Sequence, residues 1–253
     1  MKTRLMWQNG WFRDYDSVTK EWSEQQDTMH LAPIFCGTSD REHIEQLRPY
    51  FSQPPGHSGW GPLSWPPVVM TQVGGVAYAE IPLEAAELAY RFIDASYRST
   101  DSRELDEHGG LPGVTREYLR TVVTSEKSEM DYANTGIEGY GWGALSVHLL
   151  MRYLVGLCEE EAGKITIAPA LPQALRRVGA AYRVESVPWG NYMLAIECTI
   201  QEVESYTVHL CCMEREREEV AKVEELPRSV LVQEYEWKGI WGEKQTLQLS
   251  RIS

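Results

Sequence analysis

Hydrophobic positions along the chain change period once, and the change divides it. From Pro82 to Thr100, Leu83, Ala86, Ala89, Tyr90, Ile93 and Tyr97 recur at helical spacing with Glu84, Glu87, Arg91 and Asp94 on other faces, which predicts a half-buried helix. Trp142 to Cys158 is apolar nearly all round through Leu145, Val147, Leu149, Leu150, Met151, Leu154, Val155 and Leu157. Such a helix is expected to have neighbours on both sides, as in the inner ring of a double-layered helical array. Two further helices are marked by their starts. Ser39-Asp40-Arg41-Glu42 has the form of a capping box, the Ser39 hydroxyl and Glu42 carboxylate satisfying free amides of a helix that continues to Tyr50. Trp65-Pro66-Pro67 opens another, running to Tyr78, since proline is tolerated in the first turn where its missing N–H has no partner.

After Gly163 the period becomes two. Ile165 and Ile167, then Leu194, Ile196, Cys198 and Ile200, then Val208, Leu210 and Cys212 alternate with more polar neighbours, as strands do. Runs of this kind without intervening helices predict an antiparallel β-sandwich. Residues 214–225 interleave Glu and Arg and read as a solvated turn or edge. The expected architecture is mainly α with a C-terminal β domain, helical hairpins over residues 1–161 and a small β-sandwich over 162–253.

Composition narrows the partners. The formal net charge of −13 repels phosphate backbones and anionic headgroups, so nucleic acid and membrane surfaces are poor candidates. Thirteen Tyr and nine Trp against four Phe favour rings with a polar handle, which suit either large helical cores or walls that meet hydroxylated ligands. The first residues lack the apolar core of a signal peptide, and no apolar stretch approaches the roughly 20 residues of a membrane span. The five cysteines form no CxxC pair and sit in apolar runs, which points to reduced, buried thiols in a cytoplasmic protein without a metal.

No cofactor is called for. There is no GxGxxG or GxxxxGK[ST], so Gly74-Gly75 and Gly109-Gly110 read as packing and turn glycines. Ser58 and Ser64 lack a nucleophile elbow, no His has a triad context, and His148 reads as a core histidine.

Six segments occur in order. They are Trp11-Phe12-Arg13-Asp14-Tyr15-Asp16, His30-Leu31-Ala32-Pro33-Ile34-Phe35-Cys36-Gly37, Trp60-Gly61-Pro62-Leu63-Ser64-Trp65-Pro66-Pro67, Glu129-Met130-Asp131-Tyr132-Ala133-Asn134-Thr135-Gly136, Tyr140-Gly141-Trp142-Gly143-Ala144, and Lys164-Ile165-Thr166-Ile167-Ala168-Pro169-Ala170-Leu171-Pro172. Together they resemble the last hairpins of the six-hairpin glycosidases, the family that includes trehalase and processing α-glucosidase I. The fourth segment keeps the spacing of that family's ExYxPxTG motif, with Tyr132 one position late. The third lacks the family's Arg, because Gly61 follows Trp60 directly. Residues 103–124 are extra length relative to the family.

The resemblance implies a partial (α/α)6 toroid followed by the β-sandwich, and an α-linked oligosaccharide or glycoside as substrate. Enzymes of this kind mostly invert at the anomeric carbon, using two carboxyl groups roughly 6.5–9.5 Å apart. Glu129 takes the family's general-base position, with Trp60, Trp65, Trp142 and Tyr140 as sugar-binding walls and Gln26 and Asp27 at the cleft. The family's general acid lies upstream of the matched portion; Asp14, Asp16 and Asp27 are the substitutes near the start, none matches the acid's motif, and Asp14 and Asp16 read as residues of a tight hairpin turn. A truncated gene product, hairpins supplied by another chain, and a non-hydrolytic descendant are the three open explanations. Uncovered helical flanks would favour a homo-oligomer.

Overall fold

The computed structural model describes residues 6–24, 28–51, 63–64, 66–101, 115–123, 130–138, 141, 143–161, 164–215 and 229–249. The chain forms two compact units, Met1–Pro172 with Thr246–Ser253, and Gln173–Gln245.

The first unit opens with two small antiparallel hairpins, β1 (Trp7–Gln8) with β2 (Trp11–Phe12), and β3 (Tyr15–Asp16) with β4 (Glu21–Trp22). Trp11 and Phe12 are fully buried. A 3-10 turn, Thr28–Leu31, leads into the short helix α1 (Ala32–Phe35), followed by α2 (Arg41–Phe51). The first hairpin packs on α2, the Trp7 and His43 rings lying 4.2 Å apart.

The cap of α2 differs from the expected box by one residue. Asp40 Oδ1 accepts from the His43 N–H at 3.1 Å, and the His43 ring faces the Asp40 N–H at 3.4 Å. The Ser39 hydroxyl is buried and has no partner among the described residues. Asp40→Ala is therefore expected to cost about 1 kcal/mol, the usual worth of an N-cap, whereas Ser39→Ala leaves stability nearly unchanged. Urea denaturation of both variants checks this, and a larger loss at Ser39 would contradict it.

Strand β5 (Leu63–Ser64) precedes α3 (Pro66–Tyr78), which a tight turn connects to α4 (Pro82–Asp101). α3, α5 (Gly143–Leu149), the π-helical turn Leu150–Leu154 and strand β7 (Met130–Glu138) all pack against α4. The buried stripe of α4 is Ala85, Ala86, Leu88, Ala89, Phe92, Ala95 and Ser96. It is rotated from the expected one: Tyr97 is 65% exposed, and Leu83, Tyr90 and Ile93 are only half-buried. Small alanines permit the close approach of neighbours, so the contact face follows them and not the larger aromatics. Gly74 and Gly75 serve the same end on α3, where a Cβ at Gly75 would stand 3.3 Å from the backbone nitrogen of Phe35 in α1.

The mainly α architecture with a partial (α/α)6 toroid is overturned. Residues expected to join helical hairpins instead form a three-stranded antiparallel sheet in the order β5-β6-β7, with β6 at Arg116–Val123. Tyr118, Thr121, Val122 and Val123 are residues of high strand propensity, and the long β6–β7 ladder satisfies backbone groups that a helix would have satisfied internally. The expected inner helix at Trp142–Cys158 is also shorter. α5 passes into the π turn, which ends at Leu154, and β8 (Cys158–Glu161) follows. Val147 is 61% exposed and His148 is exposed, so this segment is not enclosed on all sides and His148 is not a core histidine.

β8, β9 (Lys164–Ile167) and β14 (Gln245–Gln248) make a further sheet in the order β14-β9-β8, with Ile165 and Ile167 fully buried. The second unit is a four-stranded antiparallel meander of β10 (Ala181–Trp189), β11 (Tyr192–Glu202), β12 (Ser205–Arg215) and β13 (Ser229–Ile240). Leu194, Ile196, Cys198 and Ile200 on β11 and Tyr206, Val208, Leu210 and Cys212 on β12 fill its buried face. No helix among the described residues is long and apolar enough to cross a membrane.

Burial pushes the Cys198 thiol up from 9.0 to about 12 and the Cys212 thiol up to about 11. At Cys198 that lowers the thiolate fraction at neutral pH about a thousandfold. Iodoacetamide is expected to label exposed Cys36 in the native chain and to reach Cys198 and Cys212 only after denaturation. Peptide mapping reads the result, and native labelling of Cys198 would contradict its burial.

Candidate functional site

The seven residues expected to form a sugar site, Glu129, Trp60, Trp65, Trp142, Tyr140, Gln26 and Asp27, lie outside the described residues. What the structure does place is the backbone around them. Leu63 and Ser64 of the third segment pair with Arg120 and Leu119 of β6, which pair in turn with Ala133 and Asn134 of the fourth. Ser64, Leu119 and Asn134 therefore form one row across the sheet, with neighbouring strands about 4.8 Å apart. Segments far apart in sequence meet on one sheet because β6 lies between them.

The first two segments are joined as well. His30, buried in the 3-10 turn, lies 3.2 Å through Nε2 from Asp14 Oδ2. Arg13 donates from Nη1 to the Ser23 carbonyl at 3.2 Å. Asp16 closes a tight turn by accepting from the Val18 and Thr19 N–H groups at 2.7 and 3.3 Å. Those two backbone donors, Val18 first, hold the Asp16 carboxyl below its ordinary value. A carboxyl kept ionised in this way is a poor proton donor, and the turn explains its position without catalysis. Asp14 is engaged with His30, and Asp27 lies outside the described residues.

The fifth segment begins α5. There the Gly143 N–H donates to Thr115 Oγ1 at 3.1 Å, linking the start of β6 to the head of that helix. Next to Thr115, Arg116 is 8% exposed, and Gln72 on α3 is 3% exposed. Sequence reasoning singled out neither residue. Gln72 stands in an apolar helix and Arg116 in an alternating strand, and no local motif marks a polar side chain that tertiary packing will cover.

No family model matches the chain, and no curated protein matches it. Among solved structures, the neutral trehalase from Saccharomyces cerevisiae is similar, with a TM-score of 0.44 and 18% sequence identity. The match covers 60% of this chain and 28% of the trehalase chain, so the chain spans less than a third of that protein's length.

Proposed function

We propose that this chain is a glycosidase-like protein, or a part of one, that acts on an α-linked gluco- or manno-configured oligosaccharide with inversion, Glu129 serving as general base. The observation that carries this reading is the order and spacing of the six segments from Trp11 to Pro172. The row formed by Ser64, Leu119 and Asn134 supports it by bringing the third and fourth segments onto one sheet.

Base catalysis at this position needs a carboxylate within hydrogen-bond reach of the attacking water and a second carboxyl on the opposite face of the glycosidic bond. Aromatic walls at Trp60, Trp65, Trp142 and Tyr140 would stack on sugar faces and exclude bulk water, leaving the hydroxyls to polar groups such as Gln26 and Asp27. Asp16, whose carboxyl the turn N–H groups hold below its ordinary value, and Asp14, engaged with His30, are poor sources of the general acid, which leaves Asp27, a partner chain or further hairpins to supply it.

A second reading is a carbohydrate-binding or subunit-forming relative without turnover. The exposure of Tyr78, Tyr97 and Val147 on three helices of the first unit favours it.

The test is a screen of the purified 253-residue chain on α-linked disaccharides, with the product anomer followed by NMR and sugar binding followed by calorimetry. Turnover giving the inverted anomer supports the hydrolase. Binding without turnover selects the second reading. Neither binding nor turnover overturns both.

A further inference from the structure

On the second unit, strand alternation divides chemistry as well as burial. Val208, Leu210 and Cys212 face the core, so Thr207, His209 and Cys211 stand on the opposite face of β12. The register then sets their neighbours. Cys211 lies directly opposite Glu234 on β13, and His209 lies between Glu236 on β13 and Glu197 on β11. His209 Nε2 hydrogen-bonds Glu234 Oε1, and the Cys211 sulfur lies 4.0 Å from each nitrogen of the His209 ring. One ligand atom from each of His209, Cys211 and Glu234 therefore falls within 4.8 Å of the other two.

We propose that His209, Cys211 and Glu234 form a binding site for a borderline-soft divalent cation of the zinc class, with one coordination position open to water. Imidazole, thiolate and carboxylate are the donors such a cation prefers. Bonds of about 2.0–2.3 Å in a tetrahedron separate ligand atoms by roughly 3.3–3.8 Å, so small side-chain rotations accommodate the ion. The backbone is already in place, because two adjacent strands of one ladder hold all three residues.

Solvent reaches the cluster, the His209 and Glu234 side chains being 38% and 54% exposed. The charge around it suits a cation. Glu197 and Glu236 flank His209, and among the described residues Arg183, which pairs with Glu185 and Glu197, and Lys238, opposite Thr207 on β13, are the positive charges on the same face. On binding, the S–H bond breaks, its proton passes to the buffer, and sulfur donates the freed pair to the metal. The ion would tie β13, at the edge of the sheet, to β12.

The probe is Co²⁺, titrated into the reduced 253-residue chain, because thiolate ligation gives an intense near-ultraviolet charge-transfer band. The expected result is one equivalent bound, displaced by Zn²⁺, with the band abolished in Cys211→Ser. His209→Ala and Glu234→Gln should each weaken binding at least about tenfold, the minimum expected for a lost metal partner. Cys212→Ser, on the buried face, and Cys36→Ser, on the other unit, should keep the band. Circular dichroism separates a lost ligand from a lost sheet, and if Cys211→Ser does not fold, the exposed Glu234→Gln carries the test. No band in the folded wild-type chain, or an unchanged band in Cys211→Ser, overturns the proposal.

Discussion

Under the proposed hydrolase function, Glu129→Gln is expected to lower kcat by about 10²–10⁴-fold while KM changes little. Glutamine has nearly the shape of glutamate and still hydrogen-bonds water and sugar hydroxyls, so the ground-state complex should survive. What it lacks is the capacity to take the proton as the water oxygen attacks. The loss therefore falls on kcat and kcat/KM together, the signature of an interaction made only in the transition state. Initial rates on whichever α-linked disaccharide is turned over give the measurement, with the thermal midpoint of the variant as the check on folding. A variant that keeps wild-type kcat removes Glu129 from the mechanism. A variant that loses activity and melts early shows only that residue 129 supports the fold.

The motif and the fold were not equally legible in the sequence, and the reason is the range over which each is encoded. Strand alternation on β11 and β12 names the buried side directly, because a period of two leaves no choice of face once one residue is known to be inside. Pro66 likewise marks the start of α3, since its missing N–H matters only inside the helix. The β6–β7 hairpin was not legible. Its strands lie where the resemblance gives extra length and a motif loop, and their ladder is known only once the partner is known. The stripe of α4 was legible only in part, Ala86 and Ala89 being buried as expected and Tyr97 exposed, for a related reason. Alanine is weakly informative in a hydrophobic pattern, yet Ala85, Ala86, Ala89 and Ala95 are buried because other elements settle on them. The residues proposed for a sugar site, which lie outside the described residues, are marked in the sequence as motif positions alone. The cluster at His209 shows the opposite case: His209 and Cys211 are visible as an i,i+2 pair on a strand, but Glu234 joins them only through the register of β13.

Gly156→Ala is expected to destabilise the first unit by about 3–5 kcal/mol, among the largest effects of a single methyl group. Gly156, two residues beyond the π-helical turn, has a φ of +73°, a left-handed conformation that costs alanine about 1 kcal/mol. The Leu157 N–H reaches back to the Met151 carbonyl at 2.9 Å, so the reversal is stitched in place. Space then decides the size of the effect. A Cβ at Gly156 would stand 2.1 Å from the Ala168 carbonyl oxygen and 2.8 Å from its nitrogen. These are backbone atoms and cannot swing aside. Moving them pulls on the Ala168 N–H bond to the Gly156 carbonyl at 3.2 Å and the Ala170 N–H bond to the Leu154 carbonyl at 3.0 Å. Gly190→Ala is the control, because Gly190 also has a positive φ, +58°, in the turn between β10 and β11, but a Cβ there meets nothing within 4 Å. It should cost only the conformational share, about 1 kcal/mol. Chemical denaturation of the two variants against the wild type separates strain from collision. Equal losses in both would mean that the approach of residues 156 and 168 does not limit the stability of the first unit.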